Sequence, residues 1–199
     1  MLISKITKTA SKKYKIFGDN EYLFFLYGNE LRKYNIHEGS DISDALIEDI
    51  NNNVIYKRGK ERALFLLERQ PYSVFNMRHK LISAGYNEGI TDTIIDFLIR
   101  YNYLNDASYV SMYIESNQGK KNKRQITYNL ISKGIDRRII DDYFDNNAYS
   151  DDDCFLRQYN KYIKGKDLGD PITRQKIFRY FYSKGFSVSL INQTMNNYE

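Results

Sequence analysis

The sequence predicts a mainly α-helical protein, built of tandem three-helix repeats in an elongated curved arrangement and preceded by a small N-terminal α/β cap. Two observations predict this fold class. One phrase recurs three times, about 50 residues apart. Apolar residues on both sides of each copy recur at the three- and four-residue spacing of helices. The first 58 residues lack this pattern, which assigns them to a separate cap.

The cap is expected to contain a β-hairpin. Residues 14–17 and 22–27 are rich in aromatic and aliphatic side chains and flank Gly18-Asp19-Asn20, a suitable turn between two short strands. The apolar run at residues 22–26 is also compatible with a buried helix, and we prefer the hairpin. Residues 30–34 and 42–50 then predict two short helices, and Asn51-Asn52-Asn53 predicts a polar junction.

The repeated phrase has the features of a turn between two helices. It occupies residues 81–87, 130–136 and 181–187. A glycine just beyond a helix takes the left-handed conformation that ends it, and the apolar residue after the glycine packs back on the last turn. A polar residue then caps the next helix. The glycines are Gly85, Gly134 and Gly185, and the capping residues are Asn87, Asp136 and Ser187.

Each repeat is expected to contain three helices. Ser73 and Asp170-Pro171 predict the start of the helix before the first and the third turn, since a capping residue or a proline suits that position. A further helix lies upstream in each repeat, at residues 61–69, 106–116 and 151–164. The predicted domains are therefore the cap at 1–58 and three repeats at 59–105, 106–149 and 150–199.

The composition excludes several classes of protein. No apolar run approaches the length of a membrane span, and the N-terminus lacks the apolar core of a secretory signal, so we expect a cytoplasmic protein. The single cysteine, Cys154, and the two histidines, His37 and His79, form no cluster at metal-ligand spacing. We expect no metal, no cofactor and no small-molecule substrate.

No residues suggest catalysis. Gly119-Lys120-Lys121 lacks the preceding glycine of a phosphate-binding loop. Asp151-Asp152-Asp153 is better explained as a helix N-terminus, where carboxylates complement the helix dipole, than as a metal site. Cys154 beside them is expected to be a small buried apolar residue, because nearby carboxylates disfavour a reactive thiolate. We therefore expect that the protein is not an enzyme.

Several stretches resemble the RecX family of regulatory proteins. Tyr103-Leu104-Asn105-Asp106, followed by Tyr109-Val110 and Tyr113-Ile114, resembles the junction between that family's first and second repeats. Asn76 and Asn105 stand where members usually carry acidic residues. Further matching positions are, upstream, Ala63, Leu67, Arg69, Tyr72-Ser73, Lys80-Leu81 and Gly85-Tyr86; downstream, Gly119, Arg124, Ile126, Leu130 and Lys133-Gly134-Ile135; and, near the N-terminus, Ile6-Thr7-Lys8 and Lys33-Tyr34-Asn35.

The resemblance implies a function and a partner. RecX proteins bind the RecA recombinase, particularly its filament on single-stranded DNA, and thereby control strand exchange, ATP hydrolysis and coprotease activity. The family also implies inhibition, and a protein that acts as a monomer. These are expectations from the resemblance, separate from the predictions made on composition and periodicity.

Basic side chains are concentrated in the second and third repeats. The chain carries a net charge of +5, and a basic stretch gains from counterion release when it meets DNA or an acidic groove on a protein. A solvated helix face is the alternative explanation. The candidate partner-binding or DNA-binding residues, chosen on charge alone, are Lys120, Lys121, Lys123, Arg124, Lys133, Arg137, Arg138, Arg174, Lys176, Arg179 and Lys184.

Three functions compete on this basis. The first is a filament-binding regulator, in which a row of repeats offers an extended surface to RecA and its strand. The second is a helix-turn-helix DNA-binding protein, which the residues Arg137 and Arg138 after one turn would suit. The third is a protein-interaction scaffold unrelated to recombination. All three are compatible with weak nonspecific binding to single- or double-stranded DNA, and none requires a membrane.

Overall fold

The computed structural model describes residues 1–197, which form two compact units that divide after Asn105. The predicted fold class is confirmed: helices predominate, and a small antiparallel sheet lies near the N-terminus. Within the described residues, no helix has both the length and the apolar character needed to cross a membrane.

The first unit begins with an antiparallel sheet of strand order β1-β2-β3. Its strands are β1 (Ile3–Lys8), β2 (Lys13–Gly18) and β3 (Glu21–Tyr27). The predicted hairpin is confirmed as β2 and β3, and the turn residues Asp19 and Asn20 have left-handed φ angles of 47° and 71°, as a tight hairpin turn requires. Strand β1 was not predicted from the sequence, and Ile3 is its one fully buried residue.

Helices complete the first unit. They are α1 (Gly28–Lys33), α2 (Asp44–Ile50), a π-helical stretch at Asn51–Tyr56, α3 (Lys57–Arg69), α4 (Val74–Ser83) and α5 (Glu88–Arg100). The sheet and these helices contribute to one apolar core that extends from Ile3 to Leu104. The division of this unit at residue 58 stays a prediction.

The polar junction expected at Asn51-Asn52-Asn53 is wrong, because these residues continue the helix from α2 towards α3. Ile50 and Ile55 on either side are buried in the core and hold this stretch against it. The Asn53 side-chain amide donates a 2.7 Å hydrogen bond to the Asp49 carboxylate four residues earlier. The asparagine side chains therefore do not interrupt the helix.

The second unit contains six helices in two groups, within the described residues. The groups have separate apolar cores, one around Ile126 and Ile140 and the other around Phe155 and Phe181. The first group is α6 (Asp106–Asn117), α7 (Lys123–Ile131) and α8 (Arg137–Asn146), and the second is α9 (Asp152–Ile163), α10 (Pro171–Ser183) and α11 (Val188–Asn196). The boundary predicted between residues 149 and 150 stays a prediction.

The repeated phrase forms the same turn in all three places. Its glycines have left-handed φ angles of 99°, 77° and 92° at Gly85, Gly134 and Gly185. The next N–H donates to the carbonyl five residues back, as from Phe186 to Phe181 at 3.3 Å, which is the hydrogen bond that ends a helix in this way. The predicted caps are confirmed: side chains of Asn87, Asp136 and Ser187 accept hydrogen bonds from the first backbone amides of α5, α8 and α11.

Candidate functional site

The candidate site is formed where α7 meets the turn between α10 and α11, and Asn122 connects the two. Its Oδ1 accepts a 2.8 Å hydrogen bond from the N–H of Gln125, whose side chain accepts one from the N–H of Asn122. This reciprocal pair caps α7. The Asn122 Nδ2 donates a 2.9 Å hydrogen bond to the main-chain carbonyl of Lys184. One fully buried side chain therefore both begins α7 and holds the distant turn against it.

A second set of contacts fixes the chain just before α7. The Asp151 carboxylate accepts a 2.7 Å hydrogen bond from the N–H of Lys123, and the Tyr149 hydroxyl donates at 2.6 Å to the carbonyl of Lys121. Burial raises the pKa of Asp151 and also raises the pKa of Tyr149. As predicted, Asp152 and Asp153 lie in the first turn of α9. That Asp151 would bind a backbone amide of α7 was not predicted.

Gly185 allows the turn between α10 and α11 to lie close to Arg124 of α7. A Cβ atom added at this glycine would overlap the Cδ of Arg124. The glycine therefore has two roles, because its left-handed φ of 92° ends α10 and its missing side chain leaves room for the Arg124 side chain. Arg124 is thereby placed directly against the turn between α10 and α11.

Two grooves flank α7 and share Arg124 and Tyr128. The first groove has a volume of about 540 Å3, and its remaining lining consists of the cations Lys120, Lys121 and Lys184 and the neutral polar side chains Gln125, Asn129, Gln158 and Ser183. The second groove has a volume of about 530 Å3, and its remaining lining is Lys123, Thr127, Ile131, Arg137, Asp151, Gly185 and Ser187.

Tyr128 is the most exposed of the large apolar and aromatic side chains among residues 1–197, with 73% of its surface accessible to solvent. It lies in the middle of α7, on the opposite side from the buried Ile126 and Leu130. Tyr128 was not among the candidate residues predicted from the sequence, because those candidates were chosen on charge alone. Helical spacing was the available signal, because Tyr128 lies two residues from each of the buried Ile126 and Leu130 and therefore on the opposite face of α7.

The lysines of the first groove are held by neutral groups. Lys121 Nζ donates a 3.0 Å hydrogen bond to the Tyr113 hydroxyl, and Lys120 Nζ donates at 2.8 Å to the carbonyl of Ser116. Lys184 Nζ lies 4.8 Å from the centre of the Tyr180 ring. These contacts position the ammonium groups and leave their positive charges uncompensated.

The second groove is electrostatically different. Its Arg137 forms an ion pair with Asp141 at 2.8 Å, and Lys123 Nζ lies 4.5 Å from the centre of the Phe144 ring. The groove also contains Asp151, which is already bound to a backbone amide. The unpaired positive charge is therefore concentrated in the first groove.

The structure brings together six of the eleven cations chosen from the sequence. Lys120, Lys121, Lys123, Arg124, Arg137 and Lys184 line the grooves. The others do not line either groove: Lys133 lies over the Tyr113 ring, Arg138 pairs with Asp136, Arg174 donates to Asn196, and Lys176 and Arg179 are exposed on α10. The binding role of all eleven stays a prediction.

Other residues considered for chemistry have ordinary structural surroundings. Cys154 is buried in the core of the last helix group, where its sulfur accepts a 3.1 Å hydrogen bond from Gln158 and burial raises the pKa of its thiol. His79 is exposed, with its ring against that of Phe75. Within residues 1–197, no three His, Cys, Asp or Glu side chains are grouped closely enough to hold a metal ion.

Comparison with known proteins gives one consistent family. Residues 60–98 match the family model described as RecX, first three-helix domain. The chain is 28% identical to regulatory protein RecX of Clostridium beijerinckii, a match that covers 96% of this chain and 92% of that protein. It is 27% identical to the same-named protein of Caldanaerobacter subterraneus subsp. tengcongensis, covering 98% of this chain and 99% of the relative.

Two solved structures are similar in fold. The crystal structure of a regulatory protein RecX aligns with a TM-score of 0.62 at 21% identity, covering 96% of this chain and 97% of that one. The crystal structure of RecX from Lactobacillus salivarius also aligns with a TM-score of 0.62, at 25% identity, and covers 71% of this chain and 95% of the other.

Proposed function

We propose that this chain, which is similar to regulatory RecX proteins over nearly its full length, binds the RecA recombinase and its filament on single-stranded DNA. In this proposal binding inhibits strand exchange, ATP hydrolysis and coprotease activity. The protein acts as a monomer in the cytoplasm, where it meets the recombinase, and performs no chemical step itself. The observation that supports the proposal is the similarity to regulatory RecX proteins over nearly the full length of this chain.

The two grooves beside α7 are the proposed contact surface for the filament. A filament presents both the acidic groups of protein and the phosphates of its strand, and cations gain most from such a partner where no carboxylate already neutralises them. The first groove meets this condition, since Lys120, Lys121 and Lys184 are held by neutral groups. The helix-turn-helix alternative has less support, because Arg137 and Arg138 are paired with Asp141 and Asp136.

The proposal is tested by measuring RecA-catalysed ATP hydrolysis on single-stranded DNA while this protein is titrated in. We expect the rate to fall when there is far less than one molecule per recombinase subunit, because one bound regulator can influence many subunits of a filament. A basic protein of similar size and charge, added in the same buffer, is the control. A wild-type protein that does no more than this control would refute the proposal.

A further inference from the structure

We propose that the two grooves beside α7 form one track for a single-stranded nucleic acid, with Tyr128 as a platform on which a base stacks. The inference rests on the proposed function in one respect, which is that the strand bound in the cell is the strand of the recombinase filament. Binding of a free strand by this chain is a separate property and can be measured alone.

Tyr128 lies between the two grooves and lines both of them. An exposed aromatic ring that lies between two grooves offers a flat apolar surface to any ligand that follows them. Proteins that bind single strands without sequence preference combine such rings with a cationic groove, because every base has a face that can stack. A base in a duplex is already stacked between its neighbours, so this ring favours a single strand.

Positive charge lies around that ring. Arg124 lies one helical turn before Tyr128 and lines both grooves, so a phosphate can be held next to a stacked base. Lys120, Lys121 and Lys184 continue the positive charge along the first groove. Among residues 1–197, no carboxylate lines that groove. A polyanion there therefore meets attraction along its length.

The first groove also has a neutral polar lining. Asn129 places its side-chain amide beside the ring and the cations, together with the Nε2 of Gln125 and the Oε1 of Gln158, whose other amide atoms bond to Asn122 and Cys154. Amides can donate to and accept from base edges, which an acidic peptide does not possess. An acidic peptide also has backbone groups and carboxylates for the cations and the amides, but a segment of Asp and Glu has no flat ring to stack on Tyr128. The lining thus favours a nucleic acid strand over an acidic segment of protein.

The walls of the first groove are joined to each other. The lining of the first groove comes from α7 and the residues just before it, from the end of α10 and from Gln158 on α9. The hydrogen bond from Asn122 to the carbonyl of Lys184 holds the α7 wall and the α10 wall together. The Asp151 carboxylate fixes the start of α7 from the other side. Because the walls are already joined, the strand does not have to order them when it binds, which reduces the entropic cost.

The test is fluorescence anisotropy with a labelled oligothymidylate of about 15 nucleotides, the purified full chain and no recombinase. Tyr128→Ala should weaken binding about tenfold, since one stacked base is lost, and Tyr128→Phe should bind like the wild type because it keeps the ring. Tyr182→Ala is the matched control: Tyr182 is 58% exposed in the same unit and lines neither groove. It should bind normally.

Charge and stacking are separated by salt and by competitors. The log-log dependence of affinity on salt should have a slope of about −0.7 for each phosphate contact, and Lys120→Ala with Lys121→Ala should make that slope shallower. Unlabelled single strand should compete better than a duplex or poly-glutamate of equal total charge. Equal binding by Tyr128→Ala and the wild type, or equal competition by poly-glutamate, would overturn the proposal.

The same variants distinguish this inference from the proposed function. If the wild type binds the free strand through Tyr128 but leaves recombinase ATP hydrolysis unchanged, the track stands and the proposed function fails. If the wild type inhibits the recombinase and Tyr128→Ala both inhibits and binds the free strand equally well, the proposed function stands and the track fails.

Discussion

The side-chain amide of Asn122 donates a hydrogen bond to the main-chain carbonyl of Lys184, a residue 62 positions later in the sequence. The first unit contains an analogous contact, since the amide of Asn87 donates to the carbonyl of Leu23 at 2.7 Å, and Lys13 Nζ donates to the carbonyl of Ala84 at 2.8 Å. In each unit, a residue in or next to the repeated turn thus contacts a distant part of the same unit. The stability of the site and its binding properties should therefore be linked.

Asn122→Ala should destabilise the second unit by about 1–3 kcal/mol, because it removes the α7 cap and leaves the partly buried carbonyl of Lys184 without this donor. Urea-induced unfolding followed by circular dichroism measures this change. Asn146→Ala is the control, since the exposed Asn146 amide donates to the carbonyl of Asp142 within α8, and it should change stability by less than about 0.5 kcal/mol. Equal effects of the two variants would contradict the role assigned to Asn122.

Gly185→Ala should destabilise the second unit by about 1–3 kcal/mol, because the new Cβ is strained at a left-handed φ and also overlaps Arg124. Combining Gly185→Ala with Arg124→Ala should remove the destabilisation caused by the overlap and leave the destabilisation caused by the strained backbone. Gly165→Ala is the control for the backbone part alone, since this glycine also has a left-handed φ, of 77°, with no atom within 4 Å of an added Cβ. If the double variant loses as much free energy of unfolding as the two single variants lose together, the contact between the new Cβ and Arg124 is contradicted.

Asp151→Asn should reduce the dependence of stability on pH. Burial raises the pKa of Asp151 in the folded protein. The contribution of Asp151 to stability is therefore fully present at pH values below the ordinary pKa of an aspartate, and it is lost as the pH rises through the folded pKa. Asparagine keeps an oxygen that can accept from the N–H of Lys123 and does not ionise. Unfolding measured at several pH values should therefore show the variant gaining on the wild type as pH rises.

The control for this pH experiment is Asp145→Asn, because Asp145 is exposed on α8. The stability of Asp145→Asn relative to the wild type should not increase over the same pH range. If Asp151→Asn also keeps a constant difference from the wild type at every pH, the half-buried carboxylate of Asp151 does not titrate as proposed.

Reversing three groove cations, with Lys121→Glu, Lys123→Glu and Arg124→Glu together, should weaken inhibition of the recombinase strongly while helical content stays unchanged. The matched control reverses Lys161, Lys164 and Lys166, which changes net charge by the same amount at exposed positions outside both grooves and outside the eleven candidate cations. Titration of ATP hydrolysis compares the two sets. Equal loss in both would mean that total charge, rather than the groove, determines binding.

The turns could be predicted from the sequence because their physical causes are local. The left-handed conformation of Gly85, Gly134 and Gly185 and the capping by Asn87 and Ser187 involve residues within a few positions of each other. The prediction at residues 51–53 was wrong because it used only local residues. The asparagines at 51–53 are polar, yet they continue a helix because Ile50 and Ile55 are buried in a core assembled from distant parts of the chain.

The sequence by itself determined the helical repeats, the hairpin, the positions of the turns and the resemblance to the RecX family, because each depends on short patterns of apolar, capping and glycine residues. Only the tertiary structure decided which cations act together. Lys121 and Lys184 are far apart in the chain and meet in one groove because Asn122 binds the turn beside Lys184. Charge along a sequence does not specify such contacts, because they depend on how helices from two groups pack.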